Sequence, residues 1–260
     1  MYLPQLLTRA DNGEKLSVLT CYDASFARLL TDNGVDVLLV GDSLGMTVQG
    51  HSATLPVTLD DMVYHTAAVA RGAAEKSFIV ADLPFGSYQK NPEQAFDSAA
   101  RLMAAGANMV KLEGGAVMLE SVRFLSQRGI PVCAHLGLLP QSVNATGYRA
   151  QARDAAAATQ LLQDAGDLEN AGAKMLVLES IPAQLAADVT QRLHIPTIGI
   201  GAGAQCNGQV LVLQDMLGLT AKPPRFAKDF MQGAGSLAAA IRNYVAAVKS
   251  GEFPAPEHSF

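Results

Sequence analysis

Cysteine is scarce: Cys21, Cys133 and Cys206 are the only three in 260 residues, far apart and with no CxxC pair. That count and spacing argue against a disulfide framework or a thiolate zinc site and suit a reducing compartment. A basic stripe is also missing. Lysine and arginine are scattered, 19 against 24 acidic residues, for a formal net charge of −5. Nucleic acid as a partner needs clustered cations to meet its phosphates, so it is excluded. No apolar run approaches the roughly 20 residues of a membrane helix. Met1 to Ala10 lacks a basic start followed by an apolar stretch, so no secretory leader is expected. These absences predict a cytoplasmic protein with neither nucleic acid nor membrane as partner.

What is present is a core. Hydrophobic residues make up 49% of the chain and charged ones 17%, far from the disordered range. The length suits one α/β barrel better than two small domains, so residues 1–260 are expected to form a single barrel domain with a C-terminal helix and tail.

Short Val- and Leu-rich runs recur, and each breaks into a polar group. VLLVGDSLG delivers Asp42 and Ser43, SFIVADLPFG Asp82, MVKLEGG Lys111 and Glu113, and MLVLES Glu179. Runs this apolar and this short are strands buried on both faces, the hallmark of a parallel sheet. Three of them follow one module of helix stop, turn and strand: NGVDVLLV, AGANMVKL and AGAKMLVL. Strands are expected over 16–19, 37–40, 78–81, 109–112, 131–134, 175–178, 197–200 and, more weakly, 210–213. Helices are expected over 25–33, 58–70, 91–106, 116–129, 154–171, 182–193 and 235–249, with caps at Thr58 and at Asn91-Pro92-Glu93-Gln94. The polar, Gly-rich stretch over 45–56 is too long for a simple connector and is a candidate active-site loop. Alternating strands and helices predict a (β/α)8 TIM barrel, with a doubly wound open sheet as the competing architecture.

Barrels keep their chemistry at the carboxyl ends of the strands, where these charges cluster. Alternate strand residues share a face, so Lys111 and Glu113 point together, as do Met175, Val177 and Glu179. Charges on the lumen side must neutralise one another, hold a cation, or both. Asp42, Asp82 and Glu113 offer only oxygen ligands, which points to Mg²⁺ or Mn²⁺. The competing reading makes them helix caps or ion pairs. Glu179 lies among apolar sequence neighbours, which raise a carboxyl pKa and suit general-base work, or it caps the following helix. His135 either contacts substrate or hydrogen-bonds in the core. The run Gly199-Ile200-Gly201-Ala202-Gly203 resembles a phosphate loop only weakly, and close backbone packing at the rim explains it better.

Taken together, VGDSLGM, LPFGSY, VKLEGG, HLGLLPQ, LVLESIP, IGIGAG and CNGQ, in this order, closely resemble the ketopantoate hydroxymethyltransferase family, from about Leu3 to the HSF tail. The resemblance implies a phosphoenolpyruvate/pyruvate-type barrel that binds Mg²⁺ and 3-methyl-2-oxobutanoate and takes a one-carbon unit from 5,10-methylenetetrahydrofolate. It places metal-binding aspartates at Asp42 and Asp82, a more distant metal-associated glutamate at Glu113, substrate contacts at Asp42, Ser43, Asp82 and Lys111, and the proton acceptor at Glu179. It also implies a large homo-oligomer, typically a homodecamer. A competing enzyme class is the Mg²⁺-dependent 2-oxo-acid lyases of the isocitrate lyase and phosphoenolpyruvate mutase kind, whose cysteine-bearing loop this sequence lacks. A non-catalytic metabolite-binding barrel is the third reading. The departure from the family lies at the amino end, which begins close to the first strand and lacks a Lys-rich lead-in over 13–15.

Overall fold

β1 (Leu16–Thr20) pairs in parallel with β2 (Val37–Val40) on one side and, on the other, with the last strand, β8 (Gly208–Leu211). The computed structural model, which describes residues 1–260, closes the circuit through β3 (Phe78–Asp82), β4 (Met109–Glu113), β5 (Val132–Gly137), β6 (Met175–Glu179) and β7 (Thr197–Ile200). The expected barrel is the observed one, and closure leaves no unpaired edge strand. No helix is long and apolar enough to cross a membrane.

Inward and outward residues alternate along each strand. Leu16, Val18, Val37, Phe78, Val80, Met109, Cys133, Met175, Val177, Ile198 and Val210 fill the lumen as one buried cluster. Their outward neighbours, such as Leu38, Ile79, Val110, Leu112 and Leu176, pack beneath the surrounding helices. The inward series then turns polar at the carboxyl end: Val80 is succeeded by Asp82, Met109 by Lys111 and Glu113, Cys133 by His135, and Val177 by Glu179. Strand register thus lifts the charges above an apolar plug.

The chain winds through α1 (Leu3–Asp11), α2 (Ala24–Asp32), α3 (Leu44–Thr47), α4 (Leu59–Ala73), α5 (Pro92–Ala104), α6 (Leu119–Gln127), α7 (Val143–Thr146), α8 (Ala155–Ala171), α9 (Ala183–Arg192), α10 (Leu213–Met216) and α11 (Leu237–Ser250). Side-chain caps fix several starts: Thr58 and Asp61 form a capping box on α4, Asn91 accepts from the Gln94 amide on α5, and Asp154 caps α8. Three expectations are corrected. The chain does not begin close to β1, because α1 precedes it and drives Leu6 and Ala10 against the lumen cluster as a lid on the barrel floor. β8 begins at Gly208, where the chain runs so close to Leu16 that a Cβ would strike its carbonyl, and Leu213 already starts α10. The stretch over 45–56 is not all loop, since α3 occupies its beginning.

Asp36 ties the floor together. Its buried carboxylate accepts from the Ser17 amide and hydroxyl and pairs with Arg9 of α1 at 2.7 Å and Lys249 of α11 at 2.9 Å. Burial alone would raise its pKa, but the Ser17 hydrogen bond and Lys249 hold it below the usual value. A carboxylate with a lowered pKa stabilises the fold above its unfolded value and loses that contribution as pH falls through the folded one. Asp36→Ala should therefore lower stability by about 2–4 kcal/mol near neutral pH. Urea titrations should show the gap from the native protein closing in acid; a gap independent of pH would remove the ion pairs as its cause.

Candidate active site

A cavity of about 920 Å³ opens at the carboxyl end of the strands, lined at its floor by Asp42, Asp82, Lys111, Glu113, His135 and Glu179. Ser43 lines it too. The seven candidate site residues Asp42, Ser43, Asp82, Lys111, Glu113, His135 and Glu179 therefore converge on one site.

Asp42 sits just past β2, and its amide donates to Asp82 Oδ2 at 3.1 Å. The approach depends on Gly41, whose Cβ would lie 2.8 Å from Ser43 Oγ and 3.5 Å from Asp82 Oδ2. Ser43 Oγ is 2.9 Å from the Tyr22 hydroxyl. Lys111 is buried, with Nζ 3.2 Å from Asp82 Oδ1, 3.9 Å from Glu113 Oε1 and 3.4 Å from His135 Nδ1. His135 lies between two carboxylates: Nδ1 is 3.5 Å from Glu113 Oε1 and Nε2 3.2 Å from Glu179 Oε2.

Electrostatics follow from one ammonium among three buried carboxylates. Burial, then the charges of Asp82 and Glu113, push Asp42 up to about 7. Burial also raises Asp82, against the pull of Lys111. Glu113 moves down, because its bonds to His135 and the charge of Lys111 outweigh burial. Lys111 moves up despite burial, held charged by Asp82, Glu113 and Asp42. Burial and Lys111 would lower His135, but Glu113 and Glu179 raise it. Asp82 Oδ1 and Glu113 Oε1 are buried without a well-aligned hydrogen bond. A site with surplus negative charge and unsatisfied oxygens suits a cation.

Glu179 ends β6 with its side chain 13% exposed. Its surroundings are not the apolar ones its sequence neighbours suggest, because Leu178 and Ile181 turn outward under the helices while Glu179 faces His135. Two backbone features fix it. Gly137, with φ +98°, lies where a Cβ would meet the Glu179 carbonyl at 2.2 Å, so only glycine lets the two strand ends touch. Ser180 follows with φ +49°, a strained conformation for a side-chain-bearing residue.

Two residues escaped the sequence reading. Gln141, after β5, donates through Nε2 to Asp42 Oδ2 and the Leu83 carbonyl, both at 2.9 Å, while its amide donates to Glu113 Oε2 at 3.0 Å. Tyr88 donates its hydroxyl to Gln141 Oε1 at 2.7 Å and accepts from the Glu113 amide. Both close motifs that carry the family resemblance, LPFGSY and HLGLLPQ, but neither is assigned a role there. The glycine run after β7 packs closely, as expected: a Cβ on Gly201 would meet Phe226 and Phe260, and one on Gly203 would meet Ala183.

A closed parallel barrel with acid, ammonium and imidazole groups gathered at its carboxyl mouth is the architecture of a barrel enzyme, whose chemistry sits at that face. Comparison with known proteins narrows that class. Residues 1–256 match the family model described as ketopantoate hydroxymethyltransferase. The chain is 64% identical over 259 residues to the 3-methyl-2-oxobutanoate hydroxymethyltransferase of Thiobacillus denitrificans, covering 99% of this chain and 98% of that one. It is 66% identical over 262 residues to the enzyme of the same name from Methylobacillus flagellatus, covering 100% of both. Among solved structures the fold is similar to phosphoenolpyruvate phosphomutase from Streptomyces platensis, with TM-score 0.63, 16% identity and coverage of 84% and 83%. It is also similar to phosphonopyruvate hydrolase in complex with oxalate and Mg²⁺, with TM-score 0.62, 13% identity and coverage of 82% and 81%. The chain belongs to the ketopantoate hydroxymethyltransferase family.

Proposed function

We infer that this protein is an enzyme that transfers a hydroxymethyl group from 5,10-methylenetetrahydrofolate to 3-methyl-2-oxobutanoate, giving 2-dehydropantoate in the first step of pantothenate biosynthesis. Family membership supports the activity. The observation that carries the mechanism is the placement of Lys111 beside Asp42 and Asp82 on one side of the floor, with Glu179 on the other.

Asp42 and Asp82 would hold Mg²⁺. No three acidic, histidine or cysteine side chains form a ready ligand cage. Mg²⁺ requires none, because it is commonly held by one or two carboxylates and completes its shell with water and substrate oxygens. When bound it supplies a Lewis acid for the oxygens of the 2-oxo acid. Lys111 adds a fixed positive charge at the same oxygens, in a buried setting where that charge acts strongly. Ser43 contributes a hydroxyl beside them, and Glu113 provides counter-charge behind Lys111. Glu179 takes the proton from C3 of the substrate, held in place by His135. The carbon so activated bonds to the one-carbon unit of the folate, both carbon–nitrogen bonds of that unit break, water supplies the new hydroxyl, and the C3 proton and the second proton of water end on the two nitrogens of the tetrahydrofolate that leaves.

A lyase of the phosphoenolpyruvate mutase kind would need an accessible catalytic cysteine, and all three cysteines here are buried. We also propose a cytoplasmic homodecamer, on the family resemblance; light scattering after size exclusion reads its mass. The activity is tested by folate-dependent consumption of 3-methyl-2-oxobutanoate. Asp82→Ala should weaken Mg²⁺ and keto-acid affinity together in calorimetric titrations, and retention of both would defeat the metal assignment.

A further inference from the structure

The cavity is larger than a five-carbon acid requires. At about 920 Å³ it lies at the upper end of the roughly 300–1,000 Å³ that holds drug-sized ligands. With the small acid on the floor, much of the space remains, and one side of its wall is built by the chain that follows β8, the rest mainly by segments after β2 and β5. That wall carries Gln214 and Asp215 on α10, then Lys222, Arg225 and Phe226.

Two groups there are unexplained by the chemistry above. Asp215 is 8% exposed, has no ion-pair partner, and accepts a side-chain hydrogen bond only from the Thr220 hydroxyl. Gln214 Oε1 is buried with no hydrogen-bond partner at all. Gln214 Oε1 has no donor and the Asp215 carboxylate only the one from Thr220, and under-satisfied acceptors side by side in a cavity wall point to donors arriving with a ligand. The keto acid brings only acceptor oxygens. A reduced pterin brings the complement: a ring N–H and an amino group side by side on its pyrimidine edge, spaced for two parallel bonds to a carboxylate. Beyond these acceptors Lys222 and Arg225 stand exposed at the mouth, where the carboxylates of a folate tail would emerge.

We propose that Gln214 and Asp215 form the edge that docks the pterin head of the folate cosubstrate, with its anionic tail leaving past Lys222 and Arg225. This assignment rests on the transferase reading and adds to it the wall of the same cavity that follows β8. Phe226, packed against Gly201, offers the apolar wall beside the head.

The test separates the two substrates. Asp215→Asn replaces one acceptor oxygen with a donor that faces the donors of the pterin. It should raise the KM for 5,10-methylenetetrahydrofolate about 10- to 100-fold. The affinity for 3-methyl-2-oxobutanoate by calorimetric titration and the exchange of its C3 proton in deuterated water, both read without folate, should stay near native values. Gln214→Leu should shift the same KM in the same direction and guards against a folding defect in Asp215→Asn, with the exchange assay reporting the folded fraction. Native turnover with an unchanged folate KM in both variants would overturn the docking edge alone. Absence of folate-dependent turnover in the native protein would overturn the transferase reading and the docking edge with it.

Discussion

Glu179→Gln should cut C3 proton exchange of 3-methyl-2-oxobutanoate by roughly 10²–10⁴-fold, the range expected for loss of a positioned general base. The amide keeps the volume and an acceptor oxygen but cannot take a proton at neutral pH. Substrate and Mg²⁺ affinity should change little, since the proposed ligands Asp42 and Asp82 and the Lys111 ammonium remain. The comparison isolates chemistry from binding. It is best read by NMR in deuterated water without folate, so that no later step masks the first. Exchange at the native rate would leave Glu179 without its assigned role. A parallel loss of keto-acid affinity would instead make it a binding group.

The second large effect concerns stability as much as activity. Lys111→Met removes the one ammonium near Asp42, Asp82 and Glu113 while conserving most of the side-chain volume. Breaking a buried pair by removing one partner costs about 3–5 kcal/mol, because the remaining charge is left uncompensated. For a chain of this size that corresponds to a fall of roughly 10 °C in Tm. Added Mg²⁺ should recover part of the loss, since a cation at the same oxygens replaces some of the missing positive charge. Catalysis should not recover, because the charge would no longer reach the substrate oxygens from the lysine side. A variant as stable as the native protein without Mg²⁺ would show that the carboxylates neutralise themselves by protonation.

The barrel and the floor of the site were legible in the sequence because both follow from short-range patterning. Four apolar strands, β2, β3, β4 and β6, run into a carboxylate at or just past their ends, and the period of two put Lys111 and Glu113 on one face. Asn91 and Thr58 announced their helices through local hydrogen bonds that need no tertiary context. α1 was missed because Tyr2 is not a capping residue, and the Leu3, Leu6 and Ala10 stripe becomes meaningful only once there is a barrel floor to cover. His135 could be read only as a choice between substrate contact and core. Its position between Glu113 and Glu179 depends on the β4–β5 and β5–β6 registers, which pair it with Glu113 and Val177. Gln141 and Tyr88 were invisible for a related reason: their partners lie 25 to 99 residues away in the chain. Asp215 looked like any acidic residue near a turn, and only its burial without a cation separates it from one.

Gln141 has a mechanical corollary. A single amide side chain and its own backbone fasten the chain after β2, β3 and β4 to the loop after β5, so four of the eight rim segments behave as one stiff anvil. The rim beyond β6 shares none of these contacts and is tied separately, by the Ser180 amide donating to the Ile200 carbonyl and Gln209 Nε2 donating to the Gly203 carbonyl, so the two halves of the mouth are braced by independent networks.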